Sequence, residues 1–166
     1  ASDVYKRQNL GGQACTADYL FFLHADSMPS VSAEQLQNYL QLAPIWGFCR
    51  VRLNSPRRVF RVIEWFINLR SGFTAVGTGD QMLFMQRSEF ERGGGFDAIP
   101  LMEDIACSKR LRRLAPPLVL TEPVVTSARR WEQRGILRTV LAMWALRLAY
   151  FVGVSPARLW YHYYGR

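Results

Sequence analysis

Lysine is nearly missing from this 166-residue chain, cysteine is sparse, and no uncharged run approaches the length of a membrane span. Of the 21 basic residues only Lys6 and Lys109 are lysine, so the net charge of +8 is carried by arginine. A guanidinium fork grips phosphate or carboxylate oxygens in two places. The balance therefore points to anionic partners: nucleic acid, acidic headgroups or phosphate-bearing small molecules. Cys15, Cys49 and Cys107 are scattered, odd in number and free of any C-x-x-C pair. That argues against a disulfide framework or a zinc site and fits a reducing compartment. No secretory signal opens the sequence, and without some 18 or more consecutive apolar residues a spanning helix is not expected. The expected location is the cytoplasm, with the inner face of the plasma membrane as a surface the positive charge can meet.

What the chain does have is 49% apolar residues and 13% aromatics, enough for one domain with a substantial core. Neither an internal repeat nor a low-complexity segment occurs. Residues 1–8 read as a non-native leader, 9–166 as one partial domain, and 134–166 as its C-terminal helical segment. Tyr19-Leu20-Phe21-Phe22-Leu23 is a short apolar run suited to a strand buried on both faces, as in a parallel sheet. It ends in His24-Ala25-Asp26, where an open α/β sheet places its ligands. Ser32 with Gln35 forms a capping box for a helix with an apolar stripe. Residues 46–53 alternate as a half-buried strand.

Ser55-Pro56 reads as a cap and first helical residue, with Val59, Ile63, Phe66 and Ile67 facing inward. Residues 72–79 form a glycine-punctuated loop, and 82–85 a buried strand. Ser88 and Glu91 read as a second capping box, ended by Gly93-Gly94-Gly95. Two brief strands are expected at 118–120 and 124–126, then a helix over 136–152. Strands alternating with helices argue an α/β fold.

Four sites offer chemistry. Asp26 at a strand end can ligate a divalent metal or simply cap a turn, and His24 beside it is a weaker candidate. Glu103-Asp104 opens a helix, where macrodipole and unpaired N–H groups stabilise carboxylates. An ionised carboxylate can take a proton as general base. Arg129-Arg130-Trp131 joins a phosphate-binding fork to an indole. Gly79-Asp80-Gln81 places polar groups on a loop before a buried strand. The Gly93–Gly95 run lacks the phosphate-loop pattern and reads as a helix stop.

In order and spacing, five blocks resemble glycosyltransferase family 2, in its bacterial radical-SAM/selenodomain-associated (arsenosugar-biosynthesis-type) branch. They are Leu23-His24-Ala25-Asp26, Thr78-Gly79-Asp80-Gln81, Gly94-Gly95-Phe96, Leu101-Met102-Glu103-Asp104 and Thr126-Ser127-Ala128-Arg129-Arg130-Trp131. The tail, from Arg147-Leu148-Ala149-Tyr150 to Tyr163-Tyr164-Gly165-Arg166, is similar to the branch as well. The resemblance implies a GT-A-like nucleotide-diphospho-sugar transferase fold and inverting transfer from a nucleoside-diphosphate sugar to an acceptor hydroxyl. By it, Asp26 falls at the metal-binding D-x-D, with His24 in place of the first acid, holding Mg2+ or Mn2+. Asp104 matches the catalytic base, with Glu103 beside it. Arg130 and Trp131 match the end of the family's Q-x-x-R-W signature, on the diphosphate side with Asp80 and Gln81. Relatives begin with a strand-and-loop unit bearing a Pro-x-x-Asn-Glu-like motif that does not occur here. The expected domain therefore lacks its first strand–helix unit, and an inactive fragment is one alternative.

A second alternative is a peripheral membrane-surface protein, motivated by the apolar helix 136–152. On a 3.6-residue period Arg138 and Arg147 fall about half a turn apart, which argues against one polar face. Nucleic acid is not an expected partner, because no helix-turn-helix, zinc-finger or stacking signature accompanies the arginines.

Overall fold

The computed structural model describes residues 4–165. Residues 1–3 of the expected leader and Arg166 lie outside the described residues. In chain order the elements are α1 (Val4–Ala14), β1 (Tyr19–Phe22), β2 (Ser27–Pro29), α2 (Ala33–Leu40), β3 (Trp46–Asn54), α3 (Arg58–Thr74), a 3-10 turn (Gly79–Gln81) and β4 (Leu83–Gln86). There follow α4 (Arg87–Arg92), α5 (Glu103–Leu111), β5 (Leu118–Ser127), α6 (Arg129–Arg134), α7 (Ile136–Phe151) and α8 (Pro156–Tyr164). The fold is mixed α/β, as the alternation of strands and helices implies.

The five strands form one sheet in the order β1-β4-β3-β5-β2. β4 is antiparallel to both β1 and β3, β3 is parallel to β5, and β2 is antiparallel to β5. Hence β1, β3 and β5 run the same way, and their carboxyl ends meet the amino end of β4 along one border of the sheet. Residues 23–26 link the two outer strands, β1 and β2. Functional loops of an open α/β sheet belong on that border.

Several expectations change. β1 is an edge strand in an antiparallel pair, with Leu20 its only fully buried residue, so an apolar run need not mean burial on both faces. That burial belongs instead to the first half of β3, where Trp46, Phe48 and Cys49 are sealed. Gly47 lies among them because a Cβ there would meet the Leu118 carbonyl oxygen at 2.1 Å. Only beyond Cys49 does β3 alternate. The two brief strands expected near 118–126 are one strand, β5, with a register shift opposite Cys49 and Arg50. β2 escapes the sequence pattern because it is three residues long and ends in proline, which an edge strand tolerates.

The Ser32–Gln35 capping box is present: Gln35 N donates to Ser32 Oγ and Ser32 N donates to Gln35 Oε1, at 3.2 and 2.9 Å. The other two expected caps are not. Ser55 donates its hydroxyl to Glu132 and α3 starts from Arg57, while Ser88 lies inside α4, whose Glu91 pairs with Arg87. α3 runs on to Thr74, so the first part of the expected 72–79 loop is helical. Its inward residues are Phe60, Ile63, Glu64, Ile67 and Ser71, whereas Val59 and Phe66 face out. The glycine run does end α4, with Gly94 and Gly95 at φ of 70° and 80°, a region open chiefly to glycine. Residues 4–8, assigned above to the leader, form one helix with 9–14. There Asn9 donates to and accepts from the Phe96 backbone at 2.9 and 2.7 Å.

α7 and α8 pack back onto the sheet domain. Ile136, Val140 and Met143 join Leu53, Phe60, Ile63 and Trp131 in one cluster. Leu159 of α8 joins Val76, Met102 and Ile105 in another. Among the described residues no helix is long and apolar enough to cross a membrane.

Candidate active site

A cleft of about 320 Å³ opens at the border where the carboxyl ends of β1 and β5 gather. His24, Asp80, Glu103, Asp104 and Arg130, which come from four separate stretches of the chain, all line it. Their local structure explains the meeting. β1 delivers His24. Met102, held at a φ of 70°, turns the chain so that Glu103 and Asp104 form the first turn of α5. The turn Gly79–Gln81 lies between them: Gly79 N donates to Asp104 Oδ2 at 2.8 Å, and its α-carbon sits against the His24 ring. Any Cβ at Gly79 would come within 2.2 Å of His24 Nε2, so glycine is what lets loop and imidazole touch.

Asp104 is held twice, because Ile105 N also donates to its Oδ1 at 2.7 Å. Each carboxylate oxygen keeps a further lone pair for a substrate proton. His24 Nδ1 lies 3.3 Å from Asp80 Oδ1. That hydrogen bond holds the imidazole above its ordinary value, against the opposing effect of burial, with the charges of Asp80, Asp104 and Asp26 adding to it. Burial pushes the Asp80 carboxyl up, but the His24 hydrogen bond and the charges of His24, Arg130 and Arg147 leave it below its usual value. Burial first, and then the charge of Asp104, push Glu103 up to about 7 against the opposing effects of its own backbone hydrogen bond and His24.

Three other expected residues sit elsewhere. Gln81 is fully buried: its Nε2 donates to Cys49 O and Ser71 Oγ at 3.2 and 2.9 Å, and its Oε1 accepts from Thr78 N and Oγ1. It forms a capping box with Thr78 and braces the turn that carries Asp80, so its amide is turned inward rather than to the cleft. Trp131 packs in the core with Leu53, Phe60 and Ala128. Asp26 is exposed beyond the cleft wall and reaches His24 only through its charge. Among the described residues no three His, Cys, Asp or Glu side chains gather as a metal site. The thiols are free, and burial pushes Cys49 and Cys107 up to about 12, which makes both inert.

One arginine missing from the expected site lines it, and a second lies within electrostatic reach. Arg147 of α7 lines the cleft, and Arg70 of α3 lies within electrostatic reach of Arg147, Asp104 and Asp80. Burial, then the charge of Arg147, lowers Arg70 to about 10. Burial likewise lowers Arg147, and neither arginine has an ion pair among the described residues. Arg70 Nη2 is buried with no hydrogen-bond partner among the described residues. A buried guanidinium nitrogen left without a partner is a donor that an anion can satisfy. The only sequence signal was that these arginines interrupt apolar helical stripes.

No protein-family model matches the chain, and no curated protein matches it. Fold and site together define a mixed α/β domain with a cleft at the carboxyl ends of its strands, lined by His24, Asp80, Glu103 and Asp104 together with Arg130 and Arg147. Proton transfer beside a bound anion is the chemistry such a cleft can perform.

Proposed function

We propose that the domain is an inverting glycosyltransferase of the family-2 kind, with a GT-A-like fold, acting on a nucleoside-diphosphate sugar. The observation that carries this reading is the convergence of His24, Asp80, Glu103, Asp104 and Arg130 on one cleft. These residues, spread over more than a hundred positions, meet at the border where an open α/β sheet binds its ligands, which supports the reading. In the transfer step the acceptor oxygen bonds to the anomeric carbon while its proton passes to Asp104. The bond from that carbon to the diphosphate breaks, and the electron pair leaves with the diphosphate. Arg130, Arg147 and Arg70 offset the charge that develops there.

The expected metal ligands, Asp26 and His24, follow the carboxyl end of β1 and are the residues that would hold a divalent ion there. A Mg2+ or Mn2+ ion travelling with a diphosphate needs only one or two carboxylates from the protein, and exposed Asp26 can supply one. His24 faces Asp80 through Nδ1, the carboxylate contact that a metal-ligating histidine commonly keeps on its other ring nitrogen. When bound, such an ion would supply Lewis-acid neutralisation of the phosphates.

The test is to incubate the purified protein with a panel of uridine- and guanosine-diphosphate sugars, with Mg2+, Mn2+ or chelator, and to measure nucleotide release. Sugar-dependent release with at least one donor is expected; silence across the panel would sink the reading. Arg147→Gln is expected to weaken binding of inorganic pyrophosphate about tenfold or more by calorimetry, since a hydrogen bond to a charged group contributes about 1.5–3 kcal/mol. Arg138→Gln, on the exposed side of α7, should leave it unchanged.

Glu103 gives a pH signature. Its carboxyl titrates at about 7 in the folded chain and at the ordinary, lower carboxylate value when unfolded. Between those values the folded chain holds a proton that the unfolded chain has lost, so stability falls as pH rises and levels off above about 7. Thermal melts of Glu103→Gln should lose that slope between about pH 5 and 7. An unchanged slope would place the group in ordinary solvent.

A further inference from the structure

We propose that the outward faces of α3 and α7 attach the protein to an anionic bilayer surface, the two helices lying in the plane of the headgroups. On α3, Val62, Trp65, Phe66, Leu69 and Phe73 are each more than half exposed, Phe73 at 91%. At 100° per residue they lie opposite the buried side of Phe60, Ile63, Ile67 and Ser71. On α7, Leu137, Leu141, Trp144, Leu148 and Phe151 form a second stripe at helical spacing, each at least 60% exposed. The two helices share one core cluster, Ile63 and Ile67 with Ile136, Val140 and Met143, and Arg70 is within electrostatic reach of Arg147. Soluble monomers rarely leave that much large apolar surface uncovered.

Charge decides the occupant. Arg147, which argued in sequence against a clean interfacial helix, is turned inward to the cleft, so the exposed stripe of α7 is uncharged. The one acid of α3, Glu64, is also turned inward, accepting from Leu53 N at 2.6 Å and pairing with Arg61 at 2.8 Å. Neither helix exposes an acid, and none follows Glu132 in the sequence. Exposed Arg57 and Arg58 stand at the start of α3, and Arg134 and Arg138 at the start of α7. Apolar and aromatic stripes with a basic collar are the composition of helices that lie in the headgroup layer, their apolar side sunk about 5–10 Å. Acidic headgroups neutralise the collar. A second copy of the chain would bring the same arginines and no exposed acid from these helices to answer them.

Flotation reads attachment without any transfer reaction, so it stands apart from the test of the glycosyltransferase reading. The full chain is centrifuged through a density gradient with phosphatidylcholine vesicles, with and without phosphatidylglycerol. It is expected to float with the anionic vesicles and to remain behind with the neutral ones. Phe73→Glu with Trp144→Glu, both at exposed positions, should weaken anionic-vesicle binding about tenfold or more while melting unchanged. The proposal is overturned if the wild type does not float with anionic vesicles, or if the double variant floats equally well. It is overturned too if sedimentation shows a dimer that the double variant dissolves while no vesicle is bound.

Discussion

Asp104→Asn is expected to cut sugar transfer by about 10²- to 10⁴-fold, the range by which a positioned general base speeds a reaction. The substitution keeps the size and shape of the side chain and removes its ability to take a proton. Its structural cost is bounded by the contacts that Asp104 makes. Asp104 accepts from Gly79 N and from Ile105 N through different oxygens, and an amide offers only one acceptor oxygen. One of the two hydrogen bonds is therefore lost, and because its acceptor is charged it is worth about 1.5–3 kcal/mol, or several degrees in melting temperature for a chain of this size. Initial rates and melts on the same preparation separate the outcomes. A collapse in rate with a melt lowered by several degrees supports the base role. Wild-type rates would remove Asp104 from the chemistry, while a melt lowered much further would make it a structural strut.

How much of this was legible in the residues can be judged element by element. The capping box at Ser32, the helix stop at the triple glycine and the acidic start of α5 depend on interactions within a few residues, and each is found. Strand β1 was legible as a strand but not as an edge, because burial on the second face depends on a neighbour the local sequence does not contain. Ser55 and Ser88 show how a residue suited to capping can be claimed by a better partner or absorbed into the helix. The three-residue β2 exists only through its pairing with β5. Arg70 and Arg147 were hidden for a further reason. Their spacing on a helix shows which faces they occupy, but not which of those faces meets a cleft. The same ambiguity made α7 look too mixed for a membrane surface. Once Arg147 is assigned to the interior, the remaining stripe is uniform.

Gln81→Leu distinguishes a ligand from a brace, and its expected result is loss of stability rather than of donor contact alone. The glutamine is fully buried, and its amide joins three parts of the fold: Cys49 of β3, Ser71 of α3 and Thr78 at the start of the turn. Leucine fills nearly the same space but leaves the Cys49 carbonyl and Thr78 N–H without that partner in a closed interior. Each unsatisfied group costs about 1–3 kcal/mol, so a loss of about 3 kcal/mol and a melt lower by about 6–12 °C are expected. Activity should fall with it although Gln81 does not line the cleft, because the turn it braces sets Asp80 against His24 and Gly79 N against Asp104. A residue that only contacted the donor would behave the other way, with an unchanged melt and a weaker KM. That second result would return Gln81 to the cleft wall and require the turn to open when donor binds.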